Sequence, residues 1–361
     1  MFDVRRTTKQ RLVGVPLAVT TTMVWGGIFF AGSSAMRELD VVHVTLARYA
    51  LSALVTSVIL LAVEGRRSFR TEGRGLALVV LGSVGYCGFN LGSFAMVGPL
   101  PAQNVSVLIA TMPLVTAVVT WVAGGGRPRP LLAVSAVVAL LGVATVLGKG
   151  SPTAVLDGAV GLPAVVVVLA VLSWVIYTRG AARFPAWSPL RYTTLSQLGG
   201  VVMLLVIAFV AETAGWIGAP RLSAYLDVWP ALLYLALPGS VYAVLAWNSA
   251  ARRLGPPTTS LFISLVPVTA LVVTAVNGGE VVPGQLVGVA LVLVGLVLGV
   301  VSGMRRTGAA SEQAAGRVAG RATGQVAAPT HDHGAESDAE PDAEKGPAIV
   351  PPVPATVEGA R

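Results

Sequence analysis

Residues 234–280 read YLALPGSVYAVLAWNSAARRLGPPTTSLFISLVPVTALVVTAVNGGE, and they constrain the fold more than any other stretch. An apolar run ends at Trp247-Asn248-Ser249-Ala250, followed by Arg252-Arg253 and a Gly255-Pro256-Pro257 turn. A second apolar run carries Pro267 in its middle and stops at Gly278-Gly279-Glu280. A helix needs about 20 apolar residues to cross the hydrocarbon core, and basic loops stay on the cytoplasmic side. Two membrane helices joined by a short basic turn meet both demands.

Apolar windows of that length recur at 13–33, 41–63, 75–97, 102–123, 130–148, 159–178, 190–210, 229–250, 258–276 and 285–302. The reading is an all-α integral membrane protein of about ten spans. Composition agrees, with 54% apolar and 12% charged residues, against about 25% charged in soluble domains. The net charge of +8 does not indicate nucleic acid, because the basic residues lie singly or in pairs between apolar runs rather than on one face. A single cysteine, Cys87, excludes an intrachain disulfide. The run after Arg5, Arg6, Lys9 and Arg11 is too long for a signal-peptide core, so it is expected to stay as a helix.

The chain is internally duplicated. Pro113-Leu114-Val115-Thr116-Ala117-Val118-Val119-Thr120 aligns with Pro267-Val268-Thr269-Ala270-Leu271-Val272-Val273-Thr274 at a constant offset. Leu46-Ala47-Arg48-Tyr49 echoes Pro189-Leu190-Arg191-Tyr192, and Trp25 echoes Trp174. Charge sets the orientation. With a cytoplasmic N-terminus, the cytoplasmic side holds Arg66, Arg67, Arg70, Arg74, Arg127, Arg129, Arg179, Arg183, Arg191, Arg252, Arg253, Arg305 and Arg306, whereas the opposite side keeps Arg37, Arg48, Lys149 and Arg221. Both termini are therefore expected in the cytoplasm of a cell with this protein in its inner or plasma membrane. Five spans per half make the halves inverted repeats. The expected organisation is a cytoplasmic N-terminus at 1–12, a first repeat at 13–148, a linker at 149–158 and a second repeat at 159–302. Residues 303–361, poor in large apolar residues, are expected to be a disordered cytoplasmic tail.

Three motifs carry a family resemblance: Trp25-Gly26-Gly27-Ile28-Phe29, the Trp247-Asn248-Ser249-Ala250 to Arg252-Arg253-Leu254-Gly255 close, and the prolines Pro113 and Pro267 with Gly279-Glu280 after the second. In their order and duplication, over about residues 13–302, the chain resembles the EamA-type permeases of the drug/metabolite transporter superfamily. That resemblance implies ten helices in two repeats and movement of small metabolites by alternating access. It also implies a central cavity lined by helices one to four and six to nine. Where many relatives end the fourth helix with Gly-Glu, this chain has Gly125-Gly126, so no role can rest on that acid.

Polar groups inside a bilayer are costly and are functional candidates by default. Trp25, Tyr86, Asn90, Trp174, Tyr177, Tyr242, Trp247 and Asn248 are the candidates for a substrate cavity, since such sites pair aromatic walls with a few amides. Arg48 and Arg191 either anchor their helices by reaching the interface, or gate the cavity or attract anionic groups from its opposite ends. Pro113 and Pro267 break a backbone hydrogen bond each and are hinge or kink candidates. Span interiors hold no Asp, Glu or Lys; Glu280 at a helix end is the candidate for ion coupling, and Glu212 reads as a loop residue. Gly284, Gly288, Gly295, Gly299 and Gly303 form a small-residue stripe that suits close packing within the monomer or in a homodimer. His43 has no carboxylate or nucleophile at a telling spacing, and no metal site or cofactor is expected.

The function expected is transport of small organic metabolites, most readily export, with amino acids or drug-like compounds as the substrate class the resemblance implies. Two alternatives stand beside it: a non-transporting adaptor acting through its tail, and an enzyme acting on lipid-linked substrates.

Overall fold

The computed structural model describes residues 2–301 apart from 97–98, 101, 126–129, 156–160, 277 and 279. Residues 302–361, with the expected disordered tail, lie outside the described residues, as do Arg127, Arg129 and Asp157. Among the described residues, ten helices are long and apolar enough to span a membrane: α1 (Leu12–Ala35), α2 (Val41–Glu64), α3 (Gly75–Phe94), α4 (Val105–Gly124), α5 (Pro130–Leu147), α6 (Leu162–Arg183), α7 (Pro189–Thr213), α8 (Trp229–Leu254), α9 (Pro256–Val273) and α10 (Pro283–Val301). The seventh and eighth run several residues beyond their apolar windows, which puts Glu212 in the last turn of α7 rather than in a loop.

Packing follows the duplication. Helix α1 packs on α8 and α9, and its counterpart α6 packs on α3 and α4. Helix α2 lies against α7, and α4 against α9. Each of these is a pair of equivalents, as a pseudo-twofold axis requires. Large apolar side chains such as Phe30, Leu76, Val122 and Phe209 are exposed around the outside, where lipid would cover them. Exposed Trp216 and Trp229 flank the α7–α8 connection at the level of an interfacial aromatic belt.

Two helices carry a matching irregularity. A π-helical turn occupies Ser83–Gly88 of α3 and its equivalent Leu237–Tyr242 of α8. Such turns displace the hydrogen-bond ladder and gather at functional sites. The prolines break two more helices: α4 is interrupted at Thr111, just before Pro113, and α9 passes through a 3-10 turn at Phe262–Ser264 before Pro267. Missing N–H groups and ring clashes one turn back account for both breaks.

The α2–α7 pair is held along its whole length. Asp40 caps α2 by accepting from the backbone N–H groups of Val42 (2.8 Å) and His43 (3.1 Å). His43 lies between two carboxylates, hydrogen-bonded to Asp40 and, at 2.7 Å, to Glu212 at the far end of α7. At the other end Ser188, the cap of α7, donates to Glu64. Midway, Ser52 and Thr56 donate to the buried Gln197 amide oxygen at 3.2 and 3.1 Å. Contrary to the expectation that His43 has no carboxylate at a telling spacing, Asp40, three residues before it, bonds one ring nitrogen, and α7 brings a second carboxylate, Glu212, to the other.

At the end of the bundle where α2 meets α3, arginines satisfy loop carbonyls: Arg74 donates to Arg183 (2.6 Å), Arg252 to Phe184 (2.9 Å) and Arg191 to Arg70 (2.6 Å). Outside the spans, Trp187 and Arg191 donate to the Glu72 carboxylate and hold its pKa below the usual range. The contact therefore persists at neutral pH and loosens only as the pH falls through that depressed value.

The glycine stripe of α10 is filled inside the monomer. A Cβ at Gly288 would stand 2.7 Å from the Val146 nitrogen, and one at Gly295 would stand 2.6 Å from the Ala139 nitrogen, both on α5. Gly295→Leu is expected to lower stability by about 1–3 kcal/mol through overpacking, read as a fall in the melting temperature of purified protein in detergent. An unchanged melting temperature would mean α10 does not lie this close to α5.

Candidate functional site

Helices α1 to α4, α6, α8 and α9 surround a central cavity of about 60 Å³, room for a few water molecules. Most of its wall is apolar. Ile109 and Met112 of α4 line it together with Ile263 and Val266 of α9, which stand at the equivalent places just before the two helix-breaking prolines. Trp25 and Trp174, the echoing tryptophans of α1 and α6, face each other edge to face with centroids 5.7 Å apart. Both line the cavity, as do Arg48 and Asn90.

Arg48 does not reach outward to the interface. It is 5% exposed and lies about 10 Å along α2 from its start, at 1.5 Å per residue. Its Nε donates to Ser240 Oγ (2.5 Å), one terminal nitrogen to Asn90 Oδ1 (3.2 Å), and the other to the Gly239 carbonyl (3.4 Å). Ser240 and Gly239 belong to the π-helical turn of α8, so that distortion presents acceptors to the guanidinium. Asn90 is fixed in turn, donating to the Tyr49 hydroxyl (3.0 Å) and the Tyr86 carbonyl (2.9 Å). Among the described residues, no carboxylate pairs with Arg48.

Two smaller cavities of about 10 Å³ each continue from the central one. One lies toward the end where α2 begins, lined by Met36, Val41 and Thr45, and shares Arg48 and Phe94 with the central cavity. The other lies toward the end where α8 meets α9, lined by Thr178, Trp247 and Pro256, and shares Met112 and Trp174. Arg48 and Phe94 thus stand between the central cavity and one smaller space, and Met112 and Trp174 between it and the other.

The remaining candidates divide. Tyr86, Tyr177 and Asn248 are fully buried behind the wall. The two phenols are hydrogen-bonded at 2.5 Å, and Asn248 donates to Tyr177 and to Thr193 at 2.8 Å each. Trp247 packs against Trp25 at 5.1 Å and lines only the smaller cavity. Tyr242 points away from the cavity, 43% exposed on the outside, with its hydroxyl 2.6 Å from Thr20. Arg191 does not share the position of Arg48: it stacks over Trp187 at 4.0 Å and pairs with Glu72 at 2.7 Å at the end of the bundle. Glu280 is exposed between α9 and α10 and lines none of these cavities. Among the described residues no group of His, Cys, Asp and Glu is arranged to hold a metal.

Sequence reasoning passes over Gln197, Ser240 and Ser93. An amide in mid-span is a readable signal for Gln197, but nothing local marks the two serines. Ser93, 2% exposed, lines the central cavity, and its hydroxyl has no hydrogen-bond partner; the indole N–H of Trp174 has none either.

The family model of the EamA-like transporter family matches this chain twice, over residues 12–148 and 161–301. The uncharacterized transporter YrdR of Bacillus subtilis (strain 168) is 27% identical over 294 residues, which cover 80% of this chain and 91% of that protein. A probable terminal-alkyne amino-acid exporter of Streptantibioticus cattleyicolor is 26% identical over 282 residues, covering 78% and 91%. One solved crystal structure superimposes with a TM-score of 0.63 at 17% identity, over 82% of this chain and 99% of its own.

Proposed function

The chain belongs to the EamA-like transporter family and is a small-molecule transporter; from that premise we propose that it exports small amino-acid-like metabolites through the three cavities. The carrying observation is the series of three cavities that share lining residues, which we read as a path with two constrictions, one at Arg48 and Phe94 and one at Met112 and Trp174. A path with two constrictions and a central chamber is what alternating access needs, and here the chamber is too small for a metabolite until one constriction opens. The breaks at Thr111 and at Phe262–Ser264, beside the lining residues Met112 and Ile263, are the hinges we assign to that opening. The name of the amino-acid exporter favours an amino-acid-like cargo. The path lies within one chain, so one copy suffices.

The arginine-rich end is assigned to the cytoplasm, with both termini. A cysteine at Gly218 and one at Thr71, each placed in a Cys87→Ala background, test this, since both positions are exposed in connections at opposite ends. An impermeant thiol reagent should label Gly218→Cys in whole cells and Thr71→Cys only in inverted vesicles. The reverse pattern would turn the protein over.

Transport is read as facilitated, because among the described residues the cavity wall offers no carboxylate to carry a proton. Flux of an amino-acid panel into inverted vesicles, with and without a protonophore, tests both readings. Protein-dependent equilibration unaffected by the protonophore is expected, as is intact flux after deletion of residues 305–361. Accumulation abolished by the protonophore would reassign the protein to proton coupling, with the His43–Asp40–Glu212 cluster and Glu280 as its candidates. No flux from folded protein would favour an adaptor.

A further inference from the structure

We propose that the central cavity takes its substrate as an anion, a small monocarboxylate with an apolar body, whose carboxylate is held by Arg48 and Ser93 and whose amine, if it has one, is not required. This rests on the transport reading above and narrows its substrate class.

The argument begins with the cost of Arg48. A cation removed from water and left without a counter-charge is expensive unless it is paired or fully hydrogen-bonded. Arg48 carries five N–H donors, and three neutral acceptors meet it, one of them at 3.4 Å. At least two donors stay free on a side chain that lines both the central cavity and its neighbour. A planar guanidinium with unmet N–H donors beside a cavity matches a carboxylate.

Independent observations in the same cavity agree. The Ser93 hydroxyl and the Trp174 indole N–H are both buried and unpartnered. A hydroxyl and an indole left without partners in a dry site are costly, and both can donate to an oxygen. The rest of the wall is aliphatic or aromatic and suits an apolar body. No counter-charge meets an ammonium group, because among the described residues no Asp or Glu lines the cavity. The positive charge would also deter cationic compounds from the same chamber.

The test uses four related probes: leucine, N-acetyl-leucine, leucinamide and isopentylamine. Binding is read as quenching of intrinsic tryptophan fluorescence in purified protein, since Trp25 and Trp174 line the cavity, and flux is read in proteoliposomes. N-acetyl-leucine should bind most tightly and leucine more weakly, because its ammonium finds no counter-charge, while leucinamide and isopentylamine should bind at least ten-fold more weakly than leucine. Arg48→Gln should weaken N-acetyl-leucine binding by about 10- to 100-fold, the factor expected for one lost charge-assisted hydrogen bond. Arg48→Lys should recover part of it. Ser93→Ala, which removes a hydroxyl without a partner and leaves the fold intact, should weaken the carboxylates alone by several-fold. Equal binding of leucine and leucinamide, tighter binding of the amine, or no binding by any probe would overturn the proposal. Transport of amines or amides with Arg48→Gln unimpaired would sink it while leaving the transporter reading in place; absence of all flux would strike that reading itself.

Discussion

Gly82→Ala should sharply lower stability, measured as a fall in the melting temperature and a reduced monodisperse peak in fluorescence-detected size exclusion. A Cβ at Gly82 of α3 would stand 2.0 Å from the Ser196 carbonyl oxygen and 2.7 Å from the Gly200 nitrogen, both on the α7 backbone. Neither neighbour is a side chain that can turn away. The only relief is to move α3 off α7, which would also shift the π-helical turn that begins at Ser83 and, beyond it, Asn90 and Arg48. Overpacking a close helix contact costs about 1–3 kcal/mol, and backbone meeting backbone falls at the upper end or beyond. Net stabilities are about 5–15 kcal/mol, so much of the margin goes. Gly218→Ala is the matched control, since nothing lies within 4 Å of its Cβ direction, and it should change nothing. A Gly82→Ala protein as stable as the parent would place α3 and α7 further apart than described.

The bilayer makes the framework legible in the sequence. Each crossing has to be a continuous apolar run, and the Pro113 and Pro267 segments repeat at a fixed offset, so ten helices in two halves can be set out in order. The matching packing of α1 with α8 and of α6 with α3 follows from that repetition. Direction within a helix is another matter, because it depends on what packs alongside. Arg48 and Arg191 stand in echoing tetrapeptides, yet one turns into the cavity and the other pairs with Glu72 at the end of the bundle. The difference lies in their neighbours: the π-helical turn of α8 supplies Ser240 and Gly239 to Arg48, while Trp187 and Glu72 hold Arg191. Tyr242 has the residue type of a cavity wall and sits outside, because the same turn of α8 points Ser240 inward instead. Glu212 and His43 are 169 residues apart, so their bond exists only because α2 and α7 run antiparallel. The α10 glycines are a different case: the stripe is plain, and only the position of α5 decides that it packs inside one chain.

Trp174→Ala should abolish saturable transport, and Trp174→Phe should not. Trp174 is 3% exposed and packs against Trp25, Phe89 and Tyr177 with centroids 5.2–5.7 Å away. Together with Met112 it forms the wall between the central cavity and the smaller one next to Trp247. Removing the indole joins the two spaces and takes out one of the two constrictions. It also costs about 3–5 kcal/mol as a large cavity in the core, so the Ala variant must first be shown to be folded by size exclusion. A folded Trp174→Ala protein should then pass substrate at a rate that rises linearly with concentration, because a chamber open at one end cannot alternate. Phenylalanine restores most of the volume, and the N–H it lacks makes no bond within the protein, so stability should fall by less than about 1.5 kcal/mol. Its kinetics then separate two roles of the same ring. If the N–H serves only as part of the wall, KM and the maximal rate stay near those of the parent. If it donates to a substrate oxygen, KM rises several-fold for leucine and N-acetyl-leucine with little change in maximal rate, which is the outcome expected here. Saturable, unimpaired transport by the Ala variant would show that the constriction at Trp174 is not part of the path.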